Sequence, residues 1–289
     1  MRATAVFMLL VFTASCSSPE KINYSFFAAG HTYGNPMDNP HTKGLYKPFK
    51  DKIAFINEDK NIRMGFLLGD VVWTPSHWDA ALEDMSLFQD SIRVVRGNHD
   101  GPLELFEKRF GKSYYSFNES NDLFIVLDSN LDYWNISEEQ LIFLKNTIRN
   151  KAKKATNIFV FVHHIIWWTT SKYSKPWPNS FHGRDKNVNY WREIEPLLKK
   201  TGKPVYLFGG DIGAHSSEQM NKHYPVEYLY FKKKNITYIG TGMGGGIRDN
   251  FVIVDVLNNG EVNFRLIHLN GENTNGLGKL EEYNTENSF

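Results

Sequence analysis

Four short polar strings, each closing an apolar run, constrain this chain more than any other feature: Gly69-Asp70, Gly97-Asn98-His99-Asp100, His163-His164 and Gly210-Asp211. The runs before them, Met64 to Leu68, Ile92 to Val95, Asn157 to Val162 and Pro204 to Phe208, are short and bounded by Gly, Asn or Asp, as buried strands are. In a layered α/β protein the carboxyl ends of parallel strands gather at one edge. Acids, amides and imidazoles placed just past those ends converge there on one pocket.

The rest of the chain fits the same architecture. Further strand-like runs cover Tyr24 to Ala29, Leu123 to Leu127, Ile236 to Ile239 and Phe251 to Val256, with a closing alternation from Glu261 to Leu269. Helical spacing covers Tyr46 to Glu58, His77 to Gln89, Ser137 to Asn150 and Asn189 to Lys200, and Ser137 with Gln140 has the spacing of a capping box. No repeat or linker interrupts residues 24–270, which read as one domain followed by a polar tail, 271–289.

Lys plus Arg total 33 against 32 for Asp plus Glu, so no charge excess draws the chain to nucleic acid, and none is expected as a partner. Residues 1–15 carry one early charge and a short apolar run, the pattern of a signal peptide. The only cysteine, Cys16, follows Ala14 and Ser15 in a stretch that resembles a bacterial lipobox, although Thr13 stands where that pattern usually has Leu. The resemblance implies a lipidated Cys16 and an exported chain held on the periplasmic face of the bacterial envelope, with outer-membrane sorting because Ser17 follows.

In order and spacing, Gly69-Asp70, Gly97-Asn98-His99-Asp100, His163-His164 and Gly210-Asp211 resemble the calcineurin-like metallophosphoesterases across nearly the whole mature chain. The resemblance implies a four-layer α/β/β/α sandwich of the metallo-dependent phosphatase type and hydrolysis of a phosphomonoester or phosphodiester at a divalent-metal centre. It implies Asp70 as a bridging carboxylate, Asn98 and His163 as ligands of the second metal, His31 as a ligand of the first, His99 as the phosphate contact and general acid, and Asp100 as the group that orients His99. A histidine in that role benefits from a neighbouring carboxylate, which helps set its protonation.

Two departures narrow the expectation. Ala29-Gly30-His31 stands where the family usually has Asp-x-His, and Gly210-Asp211-Ile212-Gly213 where it usually has Gly-His-x-His. The first position keeps only His31 and the shared Asp70, with His215 as a nearby candidate. The second keeps Asp70, Asn98, His163 and, by substitution, Asp211. One divalent ion per chain (Mn, Mg, Fe or Zn) is therefore expected, and an anionic oxygen in place of a nitrogen favours the harder ions. The same losses are what a non-catalytic binding or assembly protein on this fold would show. Residues 165–191 interleave aromatic and basic groups, among them Trp167, Trp168, Trp177, Phe181 and Arg184. Such a loop packs over the sandwich or receives a small phosphorylated substrate, a nucleotide or glycan phosphate.

Overall fold

The computed structural model describes residues 20–36, 43–169, 177–213, 228–244 and 249–269. The expected signal peptide, Cys16, Lys172, Tyr173, Lys175, His215 and the tail 271–289 lie outside the described residues.

The apolar runs become two sheets. In the first, β1 (Ile22–Ala29), β2 (Ile62–Leu67) and β3 (Ser91–Val94) run parallel, and β10 (Asn250–Leu257) and β11 (Val262–His268) extend it antiparallel in the order β11-β10-β1-β2-β3. In the second, β5 (Asp122–Val126), β6 (Ile158–Val162), β7 (Val205–Gly209) and β9 (Ile236–Thr241) are parallel. Its edges are β4 (Tyr115–Glu119) and β8 (Tyr228–Lys233), both antiparallel to their neighbours.

Phenylalanines fill the space between the sheets. Phe66 and Phe161 stack at 3.8 Å. Phe26 turns its edge to Phe66, Phe124, Phe159, Phe161 and Phe208 at centroid distances of 5.0 to 6.0 Å. Edge-to-face pairs add to the burial term, so this layer holds the sheets in a fixed register. Over the outer face of the first sheet lie α1 (Lys47–Lys50), α2 (Ile53–Glu58), α3 (Trp78–Met85) and α4 (Leu103–Phe110), which bury Phe49, Ile53, Trp78 and Phe106 against it. Over the second lie α5 (Glu138–Lys151) and α6 (Glu195–Lys199), through Leu144, Ile148 and Leu198. The result is the expected four-layer α/β/β/α sandwich.

Local detail departs from the sequence pattern at several points. The helix expected over Tyr46 to Glu58 is two short helices broken at Asp51 and Lys52. The one expected over Asn189 to Lys200 begins as a π-helical turn, Tyr190–Ile194, and becomes α-helical only at Glu195. Pro196 has no amide hydrogen and so cannot extend a helix begun upstream without a break. Helix α4 and the edge strands β4 and β8 go unread in the sequence; β4 has no fully buried residue and β8 buries only Leu229 and Phe231. Ser137 does cap α5, but without a side-chain bond to the helix. Its hydroxyl donates to Asp132 at 2.7 Å, and Gln140 reaches across to the backbone of Asp128, accepting at 2.7 Å and donating at 3.0 Å. A tertiary contact replaces the capping box.

Candidate metal centre

The four polar strings sit at the carboxyl ends of β2, β3, β6 and β7, and both sheets deliver them to the same edge. Asp70 leaves β2 through a sharp turn in which Gly69 has φ of 84° and Asp70 itself 53°. A left-handed backbone costs a non-glycine residue of order 1 kcal/mol or more and persists where the surroundings impose it. The imposition comes from Asp100. Its carboxylate accepts from the amides of Asp70 (2.9 Å), Val71 (2.9 Å), Val72 (3.2 Å) and Gly97 (2.7 Å), tying the β2 and β3 loops together. Gly97 lies so close to this turn that a Cβ there would collide with the Asp70 amide.

His163 is the centre of the cluster. Its Nδ1 meets the Leu68 carbonyl at 2.8 Å, and since a carbonyl only accepts, Nδ1 carries a proton and Nε2 is the nitrogen turned into the cluster, with a lone pair when the ring is neutral. Around Nε2 stand three oxygens: Asn98 Oδ1 at 3.1 Å, Asp70 Oδ1 at 3.4 Å and Asp211 Oδ1 at 3.8 Å. None has a hydrogen to offer while the carboxylates are ionised. Four lone pairs facing one another need a proton or a cation among them. Cis donors bonded to one ion at about 2.1 Å are separated by about 3.0 Å in an octahedron and about 3.4 Å in a tetrahedron. The Asn98 and Asp70 spacings match, and the Asp211 oxygen stands farther out at 3.8 Å. Burial pulls the His163 imidazole down, but the Asp70 and Asp211 carboxylates outweigh it and the net shift is upward. Burial pushes the Asp211 carboxyl up to about 7. Protons thus stabilise the cluster in the absence of a cation, and the residues fit a divalent ion.

The first position is poorer. His31 also keeps its Nδ1 proton on a carbonyl, that of Met243 at 3.0 Å, so its Nε2 faces Asp70 Oδ2 at 3.6 Å. That Nε2 is buried and, among the described residues, has no hydrogen-bond partner. Burial pulls the imidazole down to about 4, which keeps it a neutral donor at ordinary pH. Ala29 contributes no donor, and Gly213, at φ of 92°, none either. Among the described residues the first position therefore has two donors against four at the second.

His99 stands beside the cluster at the surface. Its amide donates to Asp70 Oδ1 at 3.0 Å, its Nδ1 to the Trp73 carbonyl at 3.0 Å, and its ring lies on the Trp73 indole at 4.3 Å and 24°. The ring is thus aligned by Trp73. Asp100, expected to orient it, instead spends both carboxylate oxygens on backbone amides, three in the turn at Asp70 and one at Gly97, buried groups that need an acceptor.

A cavity of about 340 Å³ opens next to Asn98 and His99. His164 forms part of its floor, bonded to Ser129 at 2.8 Å and stacked on Trp134 at 4.7 Å. Its imidazole is pulled well down by burial. Tyr133, 71% exposed, stands at the mouth, and both Tyr133 and Trp134 have positive φ, at 43° and 78°. The aromatic-basic segment divides. Trp167, Trp168 and Tyr190 are core residues of the second helical layer, whereas Asn179, Ser180, His182 and Gly183 form a cavity wall. Arg184 does not reach out for phosphate. Its guanidinium lies over Trp168 at 4.9 Å.

Ser180 is the site residue that sequence reasoning missed. Its hydroxyl lies 2.7 Å from Asn98 Oδ1 and 3.1 Å from Asp211 Oδ1, and its amide donates to both Asp211 oxygens at 3.2 Å. A serine in a loop of irregular composition carries no local signal of such a contact.

Comparison with known proteins supports the fold. A family model described as calcineurin-like phosphoesterase matches residues 40–242. No curated protein matches the chain significantly. Among solved structures, purple acid phosphatase PPD1 from yellow lupin (Lupinus luteus) seeds superposes with a TM-score of 0.58 at 14% identity, over 85% of this chain and 51% of that one. A putative 5'-nucleotidase from Staphylococcus aureus gives 0.46 at 10% identity, over 90% of this chain and 57% of that one. The chain spans about half the length of the lupin phosphatase.

Proposed function

Because this chain belongs to the calcineurin-like phosphoesterase family, we propose that it is a metal-dependent phosphoric ester hydrolase working with one firmly held divalent ion. The observation that carries the reading is the ring of oxygens about the Nε2 of His163. Asp70, Asn98, His163 and Asp211 would hold the ion. Bound there, a divalent cation supplies positive charge for the phosphoryl oxygens and lowers the pKa of water.

The protein's own groups do the rest. Asp100 and the Leu68 and Met243 carbonyls fix Asp70, His163 and His31 before anything binds. Such preorganisation spares reorganisation during the reaction. His99, with its Nδ1 proton on the Trp73 carbonyl, is placed to hold a second proton on Nε2 and give it to the departing oxygen. The adjoining cavity admits the leaving group. Tyr133 offers a ring face at its mouth, which suits a nucleotide or glycan phosphate.

The test uses aryl phosphate mono- and diesters with added Mn²⁺, comparing wild type with Asn98→Ala and His99→Ala. Hydrolysis that both variants cripple supports the reading, and equal rates in all three proteins would sink it. A second reading, a non-catalytic binding protein, is favoured by the absence of side-chain donors at Ala29 and Gly213. Purified protein that holds no stoichiometric metal after supplementation would select it. Export and lipidation at Cys16 belong to the proposal as well, supported by the sequence of the first twenty residues. Labelled palmitate should enter wild type and not Cys16→Ser.

A further inference from the structure

Segment 177–183 touches two things at once. On one side it is pinned to an aromatic base, with Trp177 against Trp168 at 5.0 Å and Phe181 against Trp168 at 5.3 Å and Trp177 at 4.6 Å. On the other it is bonded to the metal cluster. The Asn179 amide donates to the Asp211 carbonyl at 3.0 Å, the Ser180 amide to both Asp211 carboxylate oxygens, and the Ser180 hydroxyl lies between Asn98 Oδ1 and Asp211 Oδ1. The same segment lines the cavity beside His99.

A hydroxyl has one proton, so Ser180 can donate to Asn98 or to Asp211 but not fully to both. Each of those oxygens has a second lone pair and also stands near His163 Nε2, at 3.1 Å for Asn98 and 3.8 Å for Asp211. A cation drawing on one lone pair of each oxygen would leave the other for Ser180. Outer contacts of this kind orient ligands and set metal affinity.

We propose that Ser180 couples metal occupancy to the wall of the substrate cavity: binding of the ion at Asn98 and Asp211 orders segment 177–183, and the ordered wall in turn strengthens metal binding. The coupling rests on the metal-binding reading above and is reciprocal, as any linkage between two binding equilibria must be. It makes the cavity competent for substrate only when the ion is present.

The test is calorimetric titration of the full chain with Mn²⁺, together with hydrogen exchange of the wall amides with and without the ion, for wild type, Ser180→Ala and Ser180→Thr. In wild type, Mn²⁺ should slow exchange across 179–183. Ser180→Ala should bind Mn²⁺ about tenfold more weakly and lose much of that slowing, with exchange in β7 unchanged. Ser180→Thr keeps the hydroxyl and should restore both. Wild-type affinity with unchanged slowing in Ser180→Ala would overturn the coupling while leaving the metal site standing. Failure of wild type to bind Mn²⁺ at all would overturn the metal site, and the coupling with it. Equal thermal melting of the metal-free variants establishes that they are folded.

Discussion

The Nε2 of His163 and the Oδ1 of Asp70 face each other at 3.4 Å, and because Nδ1 donates to the Leu68 carbonyl, only a proton on Nε2 or a cation between them satisfies both. A residue from the second sheet and one from the first thus share an unmet need for positive charge.

That need predicts the metal stoichiometry. Wild type titrated with Mn²⁺ should show one strong site per chain. His163→Ala and Asn98→Ala should each weaken it by at least about tenfold, since losing a direct donor costs no less than losing an outer contact. Calorimetry reads both the number and the affinity.

Metal binding should strengthen with pH. The Asp211 carboxyl is pushed up to about 7 by burial, and the His163 imidazole is also shifted upward, its two carboxylate neighbours outweighing burial. Both must shed a proton to bind an ion, so the metal-induced rise in Tm should be small at pH 6 and larger at pH 8. For the metal-free protein the raised Asp211 works the other way. Its folded form binds the proton more tightly than the unfolded form, so this group's contribution to stability falls as pH rises from about 4 through about 7. Melting curves over that range, with and without Mn²⁺, should therefore diverge; parallel curves would contradict the assignment.

His99→Ala should lower kcat by about 10²- to 10⁴-fold on esters with a poor leaving group and much less on activated aryl esters, where the departing oxygen needs no proton. Mn²⁺ affinity should not change, because the His99 side chain is bonded to Trp73 and not to the cluster.

Ala29→Asp is expected to act oppositely with and without metal. Ala29 is fully buried, so an unpaired carboxylate there should lower the Tm of the metal-free protein. If the new carboxylate joins His31 and Asp70 it completes a three-donor position, and a second Mn²⁺ per chain should appear with recovery of the lost stability.

Arg96 donates to the Asp128 carboxylate at 2.8 Å with both groups buried, and to the Gly101 carbonyl at 3.1 Å. Arg96→Met should destabilise the fold by about 3 to 5 kcal/mol, since it leaves Asp128 buried without its partner. Chemical denaturation measures this, and a loss under about 1 kcal/mol would show that the pair contributes little.

The sequence by itself determined a layered α/β chain with polar residues at its strand ends, and the family resemblance implied the four-layer sandwich. Buried strands carry contiguous apolar runs, and the residues after them must emerge at the strand ends, so the gathering of Asp70, Asn98, His163 and Asp211 at one edge was legible in the chain. Composition likewise made plain that Ala29 and Gly213 cannot bind an ion through a side chain. Tertiary structure decided what no local pattern encodes. Asp100 clamps the Asp70 turn because the β2 and β3 loops lie side by side, and Trp73 aligns His99 through a carbonyl and a ring face. Gln140 holds Asp128 where spacing suggested a helix cap. Ser180 reaches Asn98 and Asp211 from a loop whose Trp177 and Phe181 pack on Trp168 of the core. Strand periodicity is a property of neighbouring residues, whereas a hydrogen bond between loops depends on how the whole chain closes.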